Sequence, residues 1–168
     1  MKKDIRAYQH NSVDIPNIVA IREAAGRIKP YIHRTPVLTC ESINNIVSAL
    51  IYFKCENFQK VSAFKFRGAC NAVFSLTEEE ANRGVATHSS GNHAAALSLA
   101  AKKRGIEAFI VMPRTSPEVK KAAVKSYGGK IIFCDSTLDS REKTLLKVVK
   151  ETGATFVYPY NDNKIIAG

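Results

Sequence analysis

Apolar positions recur along this chain in blocks whose period switches between that of a helix and that of a strand. In "DIPNIVAIREAAGRI" (14–28), Ile18, Ile21, Ala25 and Ile28 fall on one helical stripe, and Pro16 suits a first helical turn. "ALIYFKC" (49–55) is β-branched and aromatic, which predicts a strand. "VSAFKFRGACNAVFSL" (61–76) predicts a helix over 64–76. Ala69, Ala72, Val73 and Leu76 share the face of Lys65, and Arg67, Asn71, Ser75 and Glu78 form a polar face opposite.

From there the alternation is regular. Thr77 and Glu80 fit a capping box, and Gly84 fits a helix stop. Strands are expected at 84–90, 107–113, 130–135 and 155–160. Helices are expected at 92–105, at 117–129 with Pro117 in its first turn, and at 139–153 with Asp139 and Glu142 at its cap. The strands are apolar on both faces, so the fold class is α/β: a doubly wound parallel sheet covered by helices on both sides. The chain closes on "NDNKIIAG" (161–168), apolar where a terminus is usually polar, which predicts a piece of something longer.

Composition narrows the classes. The 168 residues suffice for one ordinary domain, and 45% apolar with 24% charged is a globular profile. No run of eighteen apolar residues predicts a membrane span, and "MKKDIRAYQHN" lacks the apolar segment of a signal peptide, so the default location is cytoplasmic. Cys40, Cys55, Cys70 and Cys134 form no C-x-x-C pair and are read as reduced thiols. The formal charge of +10 is concentrated in "KPYIHR", "AKKRG" and "VKKAAVK". No aromatics interleave these clusters, so they are read as solvated faces and no nucleic-acid partner is expected. Glycine-rich nucleotide signatures are absent. His88 and His93 are five apart with no third ligand, so no metal is expected in this chain, and His10 and His33 are read as surface or packing residues.

Two places stand out chemically. "SSGNH" (89–93) lies at a strand-to-helix junction, where ligands bind in a doubly wound sheet. It suits an ordinary N-cap, or an anion held by free N–H groups and the helix dipole. Lys65 sits on an apolar stripe. Either its stem packs there while the amine reaches water, or the amine faces an apolar cleft where desolvation makes it a nucleophile and base.

"F-K-x-R-G" at 64–68 followed by "THSSGNHAAAL" resembles the pyridoxal-phosphate enzymes of the serine racemase and serine/threonine dehydratase family. "RTPVLT" (34–39), "FKCENFQK" (53–60), "HSSGNHAAALSLAAKKRGI" (88–106) and "YPYND…IIAG" (158–168) follow in family order and spacing. The resemblance is to the N-terminal portion only. It implies the tryptophan-synthase-β-like, fold-type II architecture, with 1–61 in a large domain, 62–154 as a small α/β domain and 155–168 returning to the large one.

It further implies pyridoxal 5'-phosphate on Lys65 as a Schiff base, Phe64 against the pyridine ring and Asn92 on the ring oxygen. Ser89, Ser90, Gly91, Asn92 and His93 would hold the substrate carboxylate. Lys65 and Ser90 would be the acid/base pair on opposite faces of Cα. Lys60 and Tyr127 match positions near a nucleotide effector, with ATP and Mg or Ca as effectors in the full-length family. The implied substrates are L-serine, D-serine and L-threonine, and the implied assembly is a homodimer. Ser62 stands where the family usually has glycine or a smaller residue, which predicts an altered turn before Lys65. Two readings follow: a racemase/dehydratase whose sequence continues beyond this chain, or a truncated, inactive product that at most associates with a full-length subunit. A generic nucleotide-binding module is disfavoured by the missing glycine loop.

Overall fold

A computed structural model describes residues 15–168; His10 and the other residues before 15 lie outside it. Helix α1 (Ile18–Ile28) starts at Asn17, whose side chain accepts from the Ala20 N–H at 3.0 Å, so Pro16 precedes the cap. Of the expected stripe only Ile28 is buried; Ile18 is 57% exposed, Ile21 and Ala25 are exposed as well, and Ala24 is buried in place of Ala25. The expected strand at 49–55 contracts to β2 (Phe53–Lys54), because its pairing partner β1 (Val37–Leu38) is equally short. Helix α2 (Glu41–Val47) lies between them, and Ile46, Leu50 and Tyr52 on this side are exposed.

The remaining chain builds a four-stranded parallel sheet of β3 (Val85–His88), β4 (Ala108–Pro113), β5 (Lys130–Cys134) and β6 (Thr155–Phe156). Its order is β5-β4-β3-β6. Along β4, Ile110 and Met112 point into one core and Val111 into the other. The first core is closed by α3 (Lys65–Phe74), α5 (Asn92–Arg104) and α6 (Glu118–Ser126), the second by α7 (Leu138–Thr152). This is the doubly wound arrangement that the two-sided apolar strands require. Helix α5 presents Ala94, Ala96, Ala100 and Ala101 to the first core, and these small side chains let α3 pack closely on it.

Local signals fared unevenly. The capping box at α4 (Glu78–Asn82) is present in both halves: Thr77 Oγ1 accepts from Glu80 N, and Glu80 Oε2 accepts from Thr77 N. Gly84 takes φ +76, and a Cβ there would fall 2.7 Å from the Glu107 carbonyl oxygen. Pro117 is the N-cap of α6, one residue before the first turn. Helix α7 is capped by Thr137, which accepts from Ser140 N at 3.2 Å; Asp139 instead pairs with Lys143 at 2.7 Å.

The clearest correction concerns the polar face of α3. It is covered by protein. Asn71 is 3% exposed, donates to the Lys164 carbonyl at 2.7 Å and accepts from Arg27 at 2.6 Å. Arg67 Nε donates to the Gly168 carbonyl at 3.0 Å, and Glu78 falls outside the helix altogether. The cover is helix α8 (Asn163–Ala167), whose Ile165 carbonyl oxygen would lie 2.4 Å from a Cβ built on Gly68. Gly68→Ala is therefore expected to destabilise the chain by about 1–3 kcal/mol, since backbone must shift to admit the methyl. Urea unfolding checks this; unchanged stability would show that α8 is not seated on α3.

Candidate functional site

The strand order sets the location. The chain moves outward from β3 to β4 to β5, then α7 carries it back across the opposite face to β6, on the far side of β3. A crevice opens where the direction reverses, at the carboxyl ends of β3 and β6. It holds a cavity of about 670 Å³, within the range of small-molecule sites. Phe64 and Lys65 form one wall, the turn from His88 to His93 another, and Leu138, Arg141 and Glu142 with Tyr158, Pro159 and Tyr160 the rest. A second cavity, of about 520 Å³, shares Phe64, Lys65 and Tyr160 and is otherwise lined by groups such as Lys54, Glu56 and Arg67.

Lys65 is the first residue of α3, and the segment before it is strained. Val61 (φ 57) and Ser62 (φ 53) are both left-handed, a region that costs non-glycine residues about 1–2 kcal/mol each. Ser62 therefore adopts a backbone that glycine favours, and the turn before Lys65 is held under strain. It delivers the amine to the crevice, where Nζ donates to the Pro159 carbonyl at 2.9 Å. The Phe64 and Tyr160 ring centroids each lie 5.2 Å from Nζ. The amine is thus turned toward a backbone acceptor between two aromatic faces.

Opposite stands the first turn of α5. Gly91 is its N-cap and donates to Ser89 Oγ at 3.3 Å. The amides of Asn92, His93 and Ala94 have no acceptor within the helix, as in any first turn. Ser90 lines the cavity beside them. Asn92 Oδ1 accepts from Lys120 Nζ at 3.0 Å. His93 is 4% exposed, and neither ring nitrogen has a well-formed hydrogen bond. Burial first, and then the Lys65 charge, push its pKa down to about 4, so the ring is neutral near pH 7. His88 is lowered too, by burial and then by Arg141, and its ring stacks 6.2 Å from Phe156.

The structure thus brings Phe64, Lys65 and residues 89–93 around one cavity. Lys60 and Tyr127 lie elsewhere. Lys60 donates to the Tyr31 carbonyl and faces Lys103, while Tyr127 ends α6 beside Ser126, whose carbonyl accepts from Lys102. Both are near the C-terminal turn of α5, about 16 Å along that helix from Asn92. Among the described residues, no three of His, Cys, Asp and Glu gather as a metal site.

Sequence reasoning missed Arg141, Tyr158 and Pro159. Arg141 Nη2 donates to the Ser136 carbonyl at 3.0 Å, and its buried Nε has no partner among the described residues. The available signal was positional: the first turn of every helix following a strand of this sheet opens at the same edge.

A doubly wound sheet with a lysine amine facing a helix N-terminus across the switch-point crevice defines an α/β small-molecule site arranged around that amine. The chain belongs to the pyridoxal-phosphate dependent enzyme family, whose profile matches residues 28–168. It is 59% identical over 152 residues to a serine racemase of Arabidopsis thaliana, covering 90% of this chain and 46% of that protein. To a beta-hydroxyaspartate dehydratase of Paracoccus denitrificans it is 54% identical over 154 residues, covering 92% and 49%. The solved structure of maize serine racemase superposes with a TM-score of 0.88 at 52% identity, covering 90% and 46%. The chain spans about half the length of the curated relatives it matches. The architecture is that of the fold-type II pyridoxal-phosphate enzymes.

Pyridoxal phosphate is the cofactor this membership implies, and the residues present fit it. They offer an amine for its aldehyde, aromatic rings to lie against it, and amide and hydroxyl groups to meet its polar edge.

His93 gives a pH signature. A histidine whose folded pKa is depressed to about 4 stabilises the fold fully above its ordinary value near 6.5. That stability is lost as pH falls through this window. Between pH 7 and pH 5 the loss is about 2 kcal/mol. Urea unfolding of His93→Leu at these two pH values is expected to show that much less pH dependence than the wild type.

Proposed function

We propose that this chain forms the lysine-bearing part of a pyridoxal-phosphate-dependent serine racemase that also has serine/threonine dehydratase activity. The observation that carries the reading is Lys65 at the head of α3, facing the first turn of α5 across one cavity. When bound, the cofactor accepts the electron pair left at Cα as its proton departs. The chain's own residues do the rest. Once its amine leaves the Pro159 carbonyl, Lys65 would hold the cofactor through its aldehyde with loss of water, and, displaced by the substrate's amine, would move a proton at Cα on one side. Ser90 supplies the hydroxyl on the other side, because racemisation needs a proton taken from one face and returned to the opposite one. Elimination needs only the Lys65 side and a proton for the departing hydroxyl. The amides and hydroxyls of residues 89–93 hold the α-carboxylate, Phe64 lies against the ring, and Asn92 donates to the ring oxygen.

The same reading takes 62–154 as the small domain and 1–61 with 155–168 as parts of a large one. It places Lys60 and Tyr127 at a nucleotide effector position, the enzyme in the cytoplasm, and two copies in the assembly. Mixing the purified chain with pyridoxal phosphate is expected to give a visible absorbance band that Lys65→Ala lacks, and L-serine should then yield D-serine and pyruvate. A folded chain with no band in either form would contradict holoenzyme formation by this chain alone.

Arg141 favours a second reading of the substrate. Its guanidinium lines the same cavity, and a guanidinium can pair with a carboxylate through two hydrogen bonds. A β-hydroxy amino acid bearing a side-chain carboxylate, as the name of the Paracoccus relative describes, would use it. Arg141→Met is then expected to lower kcat/KM for 3-hydroxyaspartate by about a hundredfold or more, and for serine by less than tenfold. Equal losses for both substrates would remove Arg141 from selection.

A further inference from the structure

Helix α6 opens at the same edge of the sheet as α5, and Lys120 lies in its first turn. A cation there faces the positive end of its own helix dipole, an unfavourable position. Its neighbour Lys121 meets Glu118 at 2.8 Å and the Arg114 carbonyl at 2.7 Å. Lys120 has no carboxylate partner among the described residues. Its ammonium reaches across to α5 and donates to Asn92 Oδ1 at 3.0 Å. Asn92 is the first residue of α5, so this charge sits between two helix N-termini, beside a cavity that already holds Lys65 and Arg141. A cation held against both dipoles with no counter-charge marks a place where an anion is expected.

The contact also has a direction. A carboxamide has an accepting end and a donating end, and an ammonium can only donate. Lys120 can therefore engage only the oxygen of Asn92, which leaves the NH₂ end for the other side. We propose that Lys120 is a positioning residue: by holding the amide oxygen of Asn92, it aims the Asn92 Nδ2 donor into the cavity at the anionic ring oxygen of the bound cofactor. This rests on the reading of Asn92 as the ring-oxygen contact. It adds that α6, through one surface lysine, fixes the polarity of that contact and brings a positive charge close to it.

The test uses the 168-residue chain and has two readouts. The first is the side-chain amide pair of Asn92 in a nitrogen–proton correlation spectrum, assigned by its loss in Asn92→Asp. Lys120→Met is expected to shift this pair, and Lys120→Arg, which keeps a cationic donor, to restore it. A pair unmoved by Lys120→Met overturns the proposal without any ligand present.

The second readout is equilibrium binding of pyridoxal phosphate, with the pH titration of its visible band. Lys120→Met and Asn92→Ala are each expected to weaken binding about tenfold, the loss of one charge-assisted hydrogen bond. The double variant should be no weaker than either single variant, because the two residues act as one unit. Lys120→Met should also move the band's titration to higher pH, since a nearby positive charge no longer favours the anionic ring oxygen. Weakening by Asn92→Ala alone overturns the role of Lys120 and leaves the reading of Asn92 standing. No weakening by Asn92→Ala overturns that reading, and the proposal with it.

Discussion

The hydrogen bond from the Lys65 amine to the Pro159 carbonyl ties together the two ends of the architecture. It requires α3 to begin where it does, which depends on the left-handed pair Val61 and Ser62. It also requires the segment after β6 to pass beside β3, which depends on α7 crossing back over the sheet. Lys65 and Pro159 are far apart in sequence, so the site assembles only when the sheet is complete. The strain before Lys65 is held by burial on both sides of the segment: Gln59 and Ala63 are covered, and Gln59 exchanges hydrogen bonds with the backbone of His33 in both directions.

The crevice is electrostatically lopsided. Lys65 and Arg141 line it, Lys120 stands beside it on Asn92, and the first turns of α5 and α7 form part of its wall. Glu142 is the acidic residue in the cavity wall. Such a site disfavours added positive charge and favours anions, which agrees with a neutral His93 at its base and with an anionic cofactor. The +10 formal charge of the chain is thus partly a property of its site. Among the described residues, other lysines lie on helix faces, as at Lys143 and Lys147, where Asp139 and Glu151 offset them.

Much of this was legible in the residue pattern. The parallel sheet, the helices between its strands and the burial of the Lys65 stripe follow from apolar period and from caps such as Thr77–Glu80. What failed depended on partners distant in sequence. Nothing local says that Asn71 and Arg67 are covered, because their cover is α8, about 95 residues further on. The strand at 49–55 has the right residues, yet a strand extends only as far as its partner, and β1 has two residues. At α7 the hydroxyl of Thr137 outcompeted Asp139 for the cap, two positions of register that composition does not decide. Arg141 was hidden because its role comes from the topology that brings α7 to the crevice, and no sequence motif marks it.

The central claim is that one amine, among many on a basic chain, is placed to bond the cofactor. Borohydride reduction of the chain with stoichiometric pyridoxal phosphate, followed by peptide mapping, tests it most directly. The account predicts the reduced pyridoxyl mass on the peptide carrying Lys65, with the surface lysines of α6 and α7 unlabelled. Label spread over those surface lysines, with Lys65 unmodified, would contradict it.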